Sequence, residues 1–455
     1  MTSNQTEVLT LDTILEKSLR YLEKTSPEDV IVYGNDNINF QIRFTRNDII
    51  VSKRWANIEL GFFYVKDKKM AATEISDISS LELIYHTLDD LIKFSRALPP
   101  KEDYGGIAEG PFEYQSVPDL YDEKIMDFSD KAVDQIEQGL NSALEAGAKH
   151  SAGILEWGYS NHKTLTNHAI DVTEIFSRFE FLIRSFVEPT ESGQGMSVGR
   201  MLRSLDTLQA GNTAGTIAVL ARGAKSGKAG IYNSLLSPTV VADIIAGTVK
   251  NANPFTIEIG QSWLKDKVGE QVASNLFSAY DNAVIPDALG SRKADMEGVP
   301  SQTTNILEKG VLKNLIHNTS TANKTDTETT ANAGIIVPQN SNIMIKPGNY
   351  SFKEMIDECR KPTIYVTSNF YTRTTNAAEG TFSTIPRDGM FLIEKGEIKK
   401  PIRELRISDT FPNLVNNIIA VQNKTRQIKW WVEVTTPTLA PAMLIENVNF
   451  TTGTQ

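Results

Sequence analysis

The chain has 455 residues, of which 40% are apolar and 22% charged, and its formal net charge at pH 7 is −10. This length exceeds what one hydrophobic core usually organises, so we predict two domains, residues 1–228 and 229–455. The negative charge disfavours a nucleic-acid partner, because the overall field repels phosphate backbones. No apolar run approaches the roughly 20 residues that cross a bilayer, so we predict no membrane segment.

The cysteine content and the first residues bear on the cellular compartment. Cys359 is the single cysteine of the chain, which excludes an internal disulfide and any metal site built from several cysteines. Residues 1–7 have neither the basic start nor the apolar stretch of a secretory signal. We therefore expect a cytoplasmic protein.

Apolar spacing in the first half of the chain predicts helices that alternate with strands. Residues 11–22, 84–92 and 132–144 place apolar side chains at three- and four-residue steps, as on the buried face of a helix. Residues 38–44 and 58–64 alternate apolar and polar side chains, as in strands with one buried face. We predict an α+β layer for the N-terminal domain, with helices packed on one face of a mainly antiparallel sheet.

Polar and glycine-rich segments are expected to connect these elements. Ser79 followed by Glu82 fits a capping box that would start the second helix. Segment 99–121 has no periodicity and contains several Gly and Pro residues, so we predict a long surface connection. Segment 193–199 is one residue too long for a dinucleotide-binding fingerprint, and we interpret it as a turn.

The pattern changes after residue 230, where one helix is followed by many short strands. Ser237 can cap this helix, and Pro238 suits its first turn. Strand-like runs separated by turns then predominate, for example at 363–367 and 430–434. The sequence therefore predicts a β-rich C-terminal domain.

The lysine-containing segment 223–229 does not meet the requirements of a phosphate-binding loop. Three residues rather than four separate its glycines, and Ala229 lacks the hydroxyl that would hold magnesium. Lys225 and Ser226 could suggest a nucleophilic pair, but a catalytic lysine must be desolvated, and this one lies in a polar, glycine-rich segment. We interpret the segment as an interdomain loop.

The histidines are a poor supply of metal ligands. A zinc hydrolase needs about three protein ligands around one ion, and none of the five histidines belongs to an HExxH or HExxxH motif. His86 shares a helical face with charged residues, opposite the apolar stripe. His162 and His168 could approach each other but have no third ligand nearby. We predict no metal site from these residues.

A series of short segments follows the order and approximate spacing of a known family. They include Asp-Met-Glu-Gly-Val-Pro at 295–300 and lie at 237–245, 259–269, 295–300, 306–312, 363–367, 389–398, 401–405 and 416–421. In this order they resemble the TldD/PmbA family of peptidases. The helix-strand-strand-helix order of the first half and Val-Gly-Arg at 198–200 are also similar to the family, so the resemblance extends over essentially the whole chain.

The resemblance implies that the chain belongs to a branch without zinc ligands. Metal-binding members carry HExxxH on the helix at 237–245, where this chain has Pro238 and Asp243 in place of the two histidines and Thr239 in place of the glutamate. Their cysteine ligand would fall near Trp430. The pattern is similar to the PmbA (TldE) branch, which lacks the zinc site and pairs with a zinc-bearing TldD-like subunit.

The resemblance also implies a barrel-like C-terminal domain whose groove accepts peptide as an added strand. The corresponding groove candidates in this chain are Asn369, Tyr371 and Arg387. Independently, Trp430 and Trp431 are consecutive in a strand-like run, and consecutive strand residues face opposite sides of a sheet. We expect one tryptophan in the core and the other at a groove or partner.

The sequence leads to one main hypothesis and two alternatives. The main hypothesis is a catalytically silent subunit, with no cofactor of its own, that forms a heterodimer with a zinc-bearing TldD-like paralogue and helps to admit unfolded or extended peptides. One alternative is an autonomous hydrolase with a non-zinc or rearranged site. The other is a homodimeric protein that binds peptide or acts as a scaffold.

Overall fold

The computed structural model describes residues 10–76, 78 and 80–452. The longer helices are α1 Leu11–Glu23, α2 Leu81–Ala97, α3 Ser129–Glu145 and α4 Thr207–Leu220, and the shorter ones are α5 Pro238–Val240, α6 Gly247–Lys250, α7 Pro254–Glu258, α8 Thr319–Lys324, α9 Phe352–Asp357 and α10 Phe411–Asn416. A π-helical turn, Val241–Ile245, joins α5 to α6. Single 3₁₀ turns lie at Glu123–Ile125 and Leu202–Ser204.

The strands fall into an N-terminal and a C-terminal group. The first group is β1 Asp29–Thr45, β2 Asp48–Lys66, β3 Lys69–Ile75, β4 His150–Thr166, β5 Asp171–Glu188 and β6 Glu191–Gly199. The second is β7 Lys225–Ser226, β8 Gly230–Leu236, β9 Ala279–Asn282, β10 Thr303–Glu308, β11 Val311–Leu312, β12 Ile343–Ile345, β13 Thr363–Asn376, β14 Thr381–Glu394, β15 Glu397–Arg403, β16 Leu405–Thr410, β17 Ile418–Val421, β18 Arg426–Trp430, β19 Val434–Ala440 and β20 Met443–Thr452.

The N-terminal strands form one antiparallel sheet in the order β3-β2-β1-β4-β5-β6. Its long β1–β2 hairpin is paired from Asp29 opposite Val65 to Thr45 opposite Asp48. Helices α1 and α2 cover one part of the sheet with buried residues such as Leu15, and α3 and α4 cover the other. The predicted helices and strands of this layer are confirmed.

Segment 193–199 is a strand, and its interpretation as a turn was wrong. It lies within β6 and pairs with β5 along its length. Its glycines let the α4 backbone approach closely, because a Cβ on Gly195 would lie 2.0 Å from the carbonyl oxygen of Ala210. The apolar stretch that precedes segment 223–229 is the end of α4, so helix rather than strand leads into that segment.

Two further expectations concern the start of α2 and the segment after it. Ser79 lies outside the described residues, and the observed cap is Ser80, whose Oγ accepts a hydrogen bond from the Leu83 amide at 3.2 Å. Segment 99–121 is not a simple surface connection. The Gly105 amide donates to Ser320 Oγ at 3.0 Å, and Tyr114 Oη donates to the Gly298 carbonyl at 2.9 Å. The segment therefore attaches the N-terminal part to the C-terminal part.

Five C-terminal strands close into a barrel. Each pairs with the next in the cycle β13-β8-β20-β16-β14, and β14 pairs back with β13. A second sheet has the order β11-β10-β9-β12-β19-β18. Residues of the 238–250 helical segment share one core cluster with Ile407 of the barrel and Ile343 of the second sheet. The predicted α+β class and barrel-like C-terminal domain are confirmed.

The two adjacent tryptophans lie at a turn. Strand β18 ends at Trp430 and β19 begins at Val434, so a continuous strand over 430–434 was wrong. Trp430 is 4% exposed, whereas Trp431 is 63% exposed and has a φ of 39°. One tryptophan is in the core and the other faces outward, but a tight turn rather than the pleat of a strand separates them.

Candidate functional site

The helical segment after β8, where the sequence resemblance places a zinc helix, begins at a well-formed cap. Ser237 Oγ accepts a hydrogen bond from the Val240 amide at 3.4 Å and donates one to the Thr367 carbonyl at 2.6 Å. Pro238 occupies the first turn, where a missing N–H costs nothing. The helix then widens into the π turn Val241–Ile245, a deviation often found at functional sites. Asp243 lies in this turn.

Asp243 is the centre of a buried polar network. Its Oδ2 accepts hydrogen bonds from the Asn369 side-chain amide and from the Thr372 hydroxyl. Asn369 Nδ2 also donates to Thr384 Oγ1 at 2.9 Å, and Thr372 Oγ1 lies 2.7 Å from the same oxygen. We call Asp243, Asn369, Thr372 and Thr384 the Asp243 cluster. It joins the π turn to the barrel strands β13 and β14.

The electrostatic environment of Asp243 is set by burial. Removal from water raises the pKa of Asp243 to about 6, and the donors Thr372 and Asn369 and the charge of Lys250 oppose this rise. Burial lowers the pKa of Lys250, an effect that the charge of Asp243 opposes. The nearby Glu433 carboxylate raises the pKa of Asp243 further. At pH 7 the Asp243 carboxylate is therefore largely ionised.

The side chains that the sequence resemblance places at zinc-ligand positions do not fit a zinc ion. Pro238 has no side-chain donor atom, and the indole of Trp430 offers only an N–H. The Asp243 carboxylate already accepts two hydrogen bonds inside its cluster. Within residues 10–76, 78 and 80–452, no group of three or more His, Cys, Asp or Glu side chains could hold a metal.

The three groove candidates lie in different environments. Asn369 is fully buried, so its side chain supports the Asp243 cluster rather than a groove wall. Tyr371 is 54% exposed, and its amide donates to Glu433 Oε1 at 3.1 Å. The Arg387 guanidinium lies 4.7 Å above the ring of Phe370, and burial lowers the pKa of Arg387. The structure thus brings Asn369 together with Asp243 and places Arg387 elsewhere.

Arg387 and Trp430 line a groove of about 600 Å³ between the N-terminal sheet and the turn after β18. We call it the tryptophan groove. The lining side chains used below are Arg43, Ile50, Glu156, Arg184, Gln194, Arg387, Trp430 and Trp431. Pro238 lies outside this groove and lines a separate pocket of about 100 Å³ together with Thr239 and Gln194.

A buried ion pair forms part of the groove's supporting structure. Arg184 donates to Asp388 Oδ1 from Nη2 at 2.6 Å and from Nε at 3.0 Å. Ser192 Oγ donates to the same oxygen at 2.6 Å. The Asp388 side chain has no exposed surface. Sequence reasoning missed this pair because 204 residues separate its members and neither belongs to a recognisable motif.

Comparison with known proteins gives the family. Residues 229–452 match the model of the PmbA/TldA metallopeptidase C-terminal domain. Residues 229–452 belong to the TldD/PmbA metallopeptidase family. A metalloprotease of Methanocaldococcus jannaschii is 31% identical over 198 residues, which are 42% of this chain and 43% of that protein. A PmbA homologue of Buchnera aphidicola is 25% identical over 199 residues, 42% of this chain and 41% of its own length.

Solved structures extend the similarity to the whole fold. TldE from Thermococcus kodakarensis superposes with a TM-score of 0.83 at 20% identity, covering 96% of this chain and 99% of that one. At this identity the match shows a shared fold alone. The aligned segments span less than half the length of the curated relatives described above.

Proposed function

We propose that this TldD/PmbA protein is a PmbA/TldE-like subunit of a TldD/TldE-type metalloprotease and does not itself hold the catalytic zinc. In this proposal it pairs with a zinc-bearing TldD-like paralogue in the cytoplasm. It closes one side of the proteolytic site and helps to admit unfolded or extended peptides. The division into residues 1–228 and 229–455 belongs to the same proposal.

The observation that carries the proposal is the Asp243 cluster. A catalytic zinc site needs about three ligands and an open position for water. Here the helix position of the family motif supplies one carboxylate, and an amide and hydroxyl groups from the barrel occupy the space around it. A site filled in this way stabilises the fold but has no position for an activated water.

The experiment is a peptidase assay with metal analysis on three samples. The purified chain, a TldD-like paralogue that carries HExxxH, and their mixture are each incubated with an unstructured peptide. We expect cleavage to require the paralogue, to be stronger in the mixture, and to disappear on chelation. Zinc should copurify with the paralogue.

The assay also separates the alternatives. Strong cleavage by this chain alone would contradict the proposal and favour an autonomous hydrolase. Binding of the chain to itself, with neither binding to the paralogue nor an effect on its activity, would favour the homodimeric scaffold. A variant with the exposed substitution Phe94→Ala, on α2, serves as a preparation control.

A further inference from the structure

The tryptophan groove contains a buried hydrogen-bond acceptor without a donor. Gln194 is 8% exposed, and its side-chain oxygen Oε1 accepts no hydrogen bond within the described residues. Buried polar atoms are normally paired, so such an atom requires an explanation. Gln194 lines the groove, and a turn of its covered side chain would present this oxygen to a ligand N–H. A peptide backbone carries one such group at nearly every residue.

The groove also carries positive charge in an acidic chain. Three arginines and one glutamate are among its lining residues, whereas the whole chain has a net charge of −10. Asp388 neutralises Arg184, and Glu156 accepts a hydrogen bond from Gln41.

Of the other two arginines, Arg43 has no carboxylate partner among the described residues, and Arg387 shares the Asp388 carboxylate with Arg184. In the described part of the chain, neither guanidinium donates a hydrogen bond to a protein acceptor, although Arg387 Nε lies 3.5 Å from Asp388 Oδ2. A carboxylate is the natural partner of an arginine, since the guanidinium fork matches its two oxygens.

Apolar side chains complete the groove. Ile50 is 58% exposed and Trp431 is 63% exposed, and both line it. An exposed tryptophan beside an arginine is the kind of surface that binds another molecule. The volume of about 600 Å³ lies within the range of ligand pockets, roughly 300–1,000 Å³. A concave site of this size suits a narrow chain segment better than the broad face of a folded partner.

We propose that the tryptophan groove binds an extended peptide segment in which an acidic residue neighbours an aromatic or aliphatic one. The carboxylate pairs with Arg43 and Arg387, and the apolar side chain packs on Trp431 and Ile50. A backbone N–H donates to Gln194 once the Gln194 side chain has turned into the groove. The inference rests on the proposed function and deepens it, because it names the class of peptide that this subunit favours.

The test measures direct binding to the purified full chain, without a partner. Fluorescence anisotropy is recorded with a labelled, unstructured peptide of alternating Glu and Leu, and with counterparts that have Lys or Gln in place of Glu. We expect the Glu peptide to bind roughly tenfold or more tightly than the Lys peptide, as charge-assisted hydrogen bonds imply. The difference should shrink at high salt.

Variants localise the binding. Arg43 is an exposed residue, so Arg43→Gln should fold normally and weaken binding of the Glu peptide several-fold while leaving the Gln peptide unchanged. Trp431→Ala should weaken the binding of the Glu and Gln peptides equally, because it removes an apolar contact and no charge. Arg20→Gln and Phe94→Ala, on the exposed faces of α1 and α2, are the matched controls and should change nothing.

Two results would overturn the inference. One is equal binding of the Glu and Lys peptides, or binding that Arg43→Gln does not alter. The other is a concentration-dependent dimer in sedimentation that Trp431→Ala abolishes while no peptide binds, which would assign the groove to a second copy of the chain. The binding assay uses the chain without a partner, so its outcome is separate from that of the peptidase assay. If the peptides do not bind selectively but the chain still stimulates the paralogue, the inference is wrong and the proposed function stands. If the peptides bind but the chain does not stimulate the paralogue, the proposed function alone is wrong.

Discussion

The Asp243 carboxylate accepts a hydrogen bond from the side-chain amide of Asn369, although 126 residues separate the two positions. One comes from the π turn of the helical segment and the other from the barrel strand β13. Asp243, which the sequence resemblance places at a zinc-ligand position, is therefore a structural joint in this chain. A joint of this kind stabilises the fold only while its polar atoms stay paired.

The first prediction concerns the pH dependence of stability at Asp243. Its pKa is about 6 in the folded state, against 3.8 for an unperturbed aspartate. The folded state therefore binds the proton more tightly. This stabilisation is fully present below pH 3.8 and is lost as the pH rises through 6. We expect the wild type to lose about 2 kcal/mol relative to Asp243→Asn between pH 4 and pH 7.

Urea unfolding of both proteins at several pH values measures this difference. Lys250 and Glu433 also face Asp243. Both residues are present in the wild type and in the variant, so their own effects on stability largely cancel in the difference. The exposed substitution Asp134→Asn on α3 is the control. A difference between wild type and Asp243→Asn that does not change with pH would contradict the prediction.

The second prediction concerns metal removal. Because the described side chains offer no group of three or more metal-ligating residues, a chelator should leave the melting temperature of the purified chain unchanged. Differential scanning fluorimetry with and without EDTA makes the measurement. A zinc-bearing TldD-like paralogue provides the positive control, since loss of a bound metal destabilises the folded state that holds it. A fall of several degrees in this chain would indicate a metal site.

The sequence predicts the regular elements well because local periodicity reports which face of a helix or strand is buried. It fails at β6, where glycines that signal turns elsewhere serve the close approach of α4. The sequence points to two of the four members of the Asp243 cluster, Asp243 and Asn369, but gives no sign that they are in contact. Thr372 and Thr384 were not found, because threonine in a strand is ordinary. The hydrogen bonds of this cluster join residues that are far apart in the sequence, so they form only when the barrel closes.

The third prediction concerns the ion pair beneath the tryptophan groove. Arg184→Met removes the charge that faces Asp388, whose side chain has no exposed surface. Asp388 then keeps only Ser192 and Arg387, whose Nε lies 3.5 Å from Oδ2. We expect the free energy of unfolding to fall by about 2 kcal/mol, less than for a fully unpaired buried charge. Arg203→Met is the matched control, because the Arg203–Asp119 pair is exposed and should contribute less than about 1 kcal/mol. Equal effects in denaturant titrations would show that burial does not set the strength of the Arg184–Asp388 pair.

The fourth prediction tests why β6 is rich in glycine. A Cβ at Gly195 would lie 2.0 Å from the Ala210 carbonyl oxygen, a backbone atom of α4 that cannot move without displacing the helix. Gly195→Ala should therefore destabilise the chain by about 3 kcal/mol, near the upper end for overpacking. At Gly227 the nearest atoms are Cδ1 and Cγ of Leu405, at 2.5 and 2.7 Å, which belong to a side chain and not to a helix backbone. Gly227→Ala should destabilise the chain clearly less when both variants are compared by thermal unfolding. Equal destabilisation would mean that the backbone entropy of glycine, and not the contact with α4, explains the sensitivity of β6.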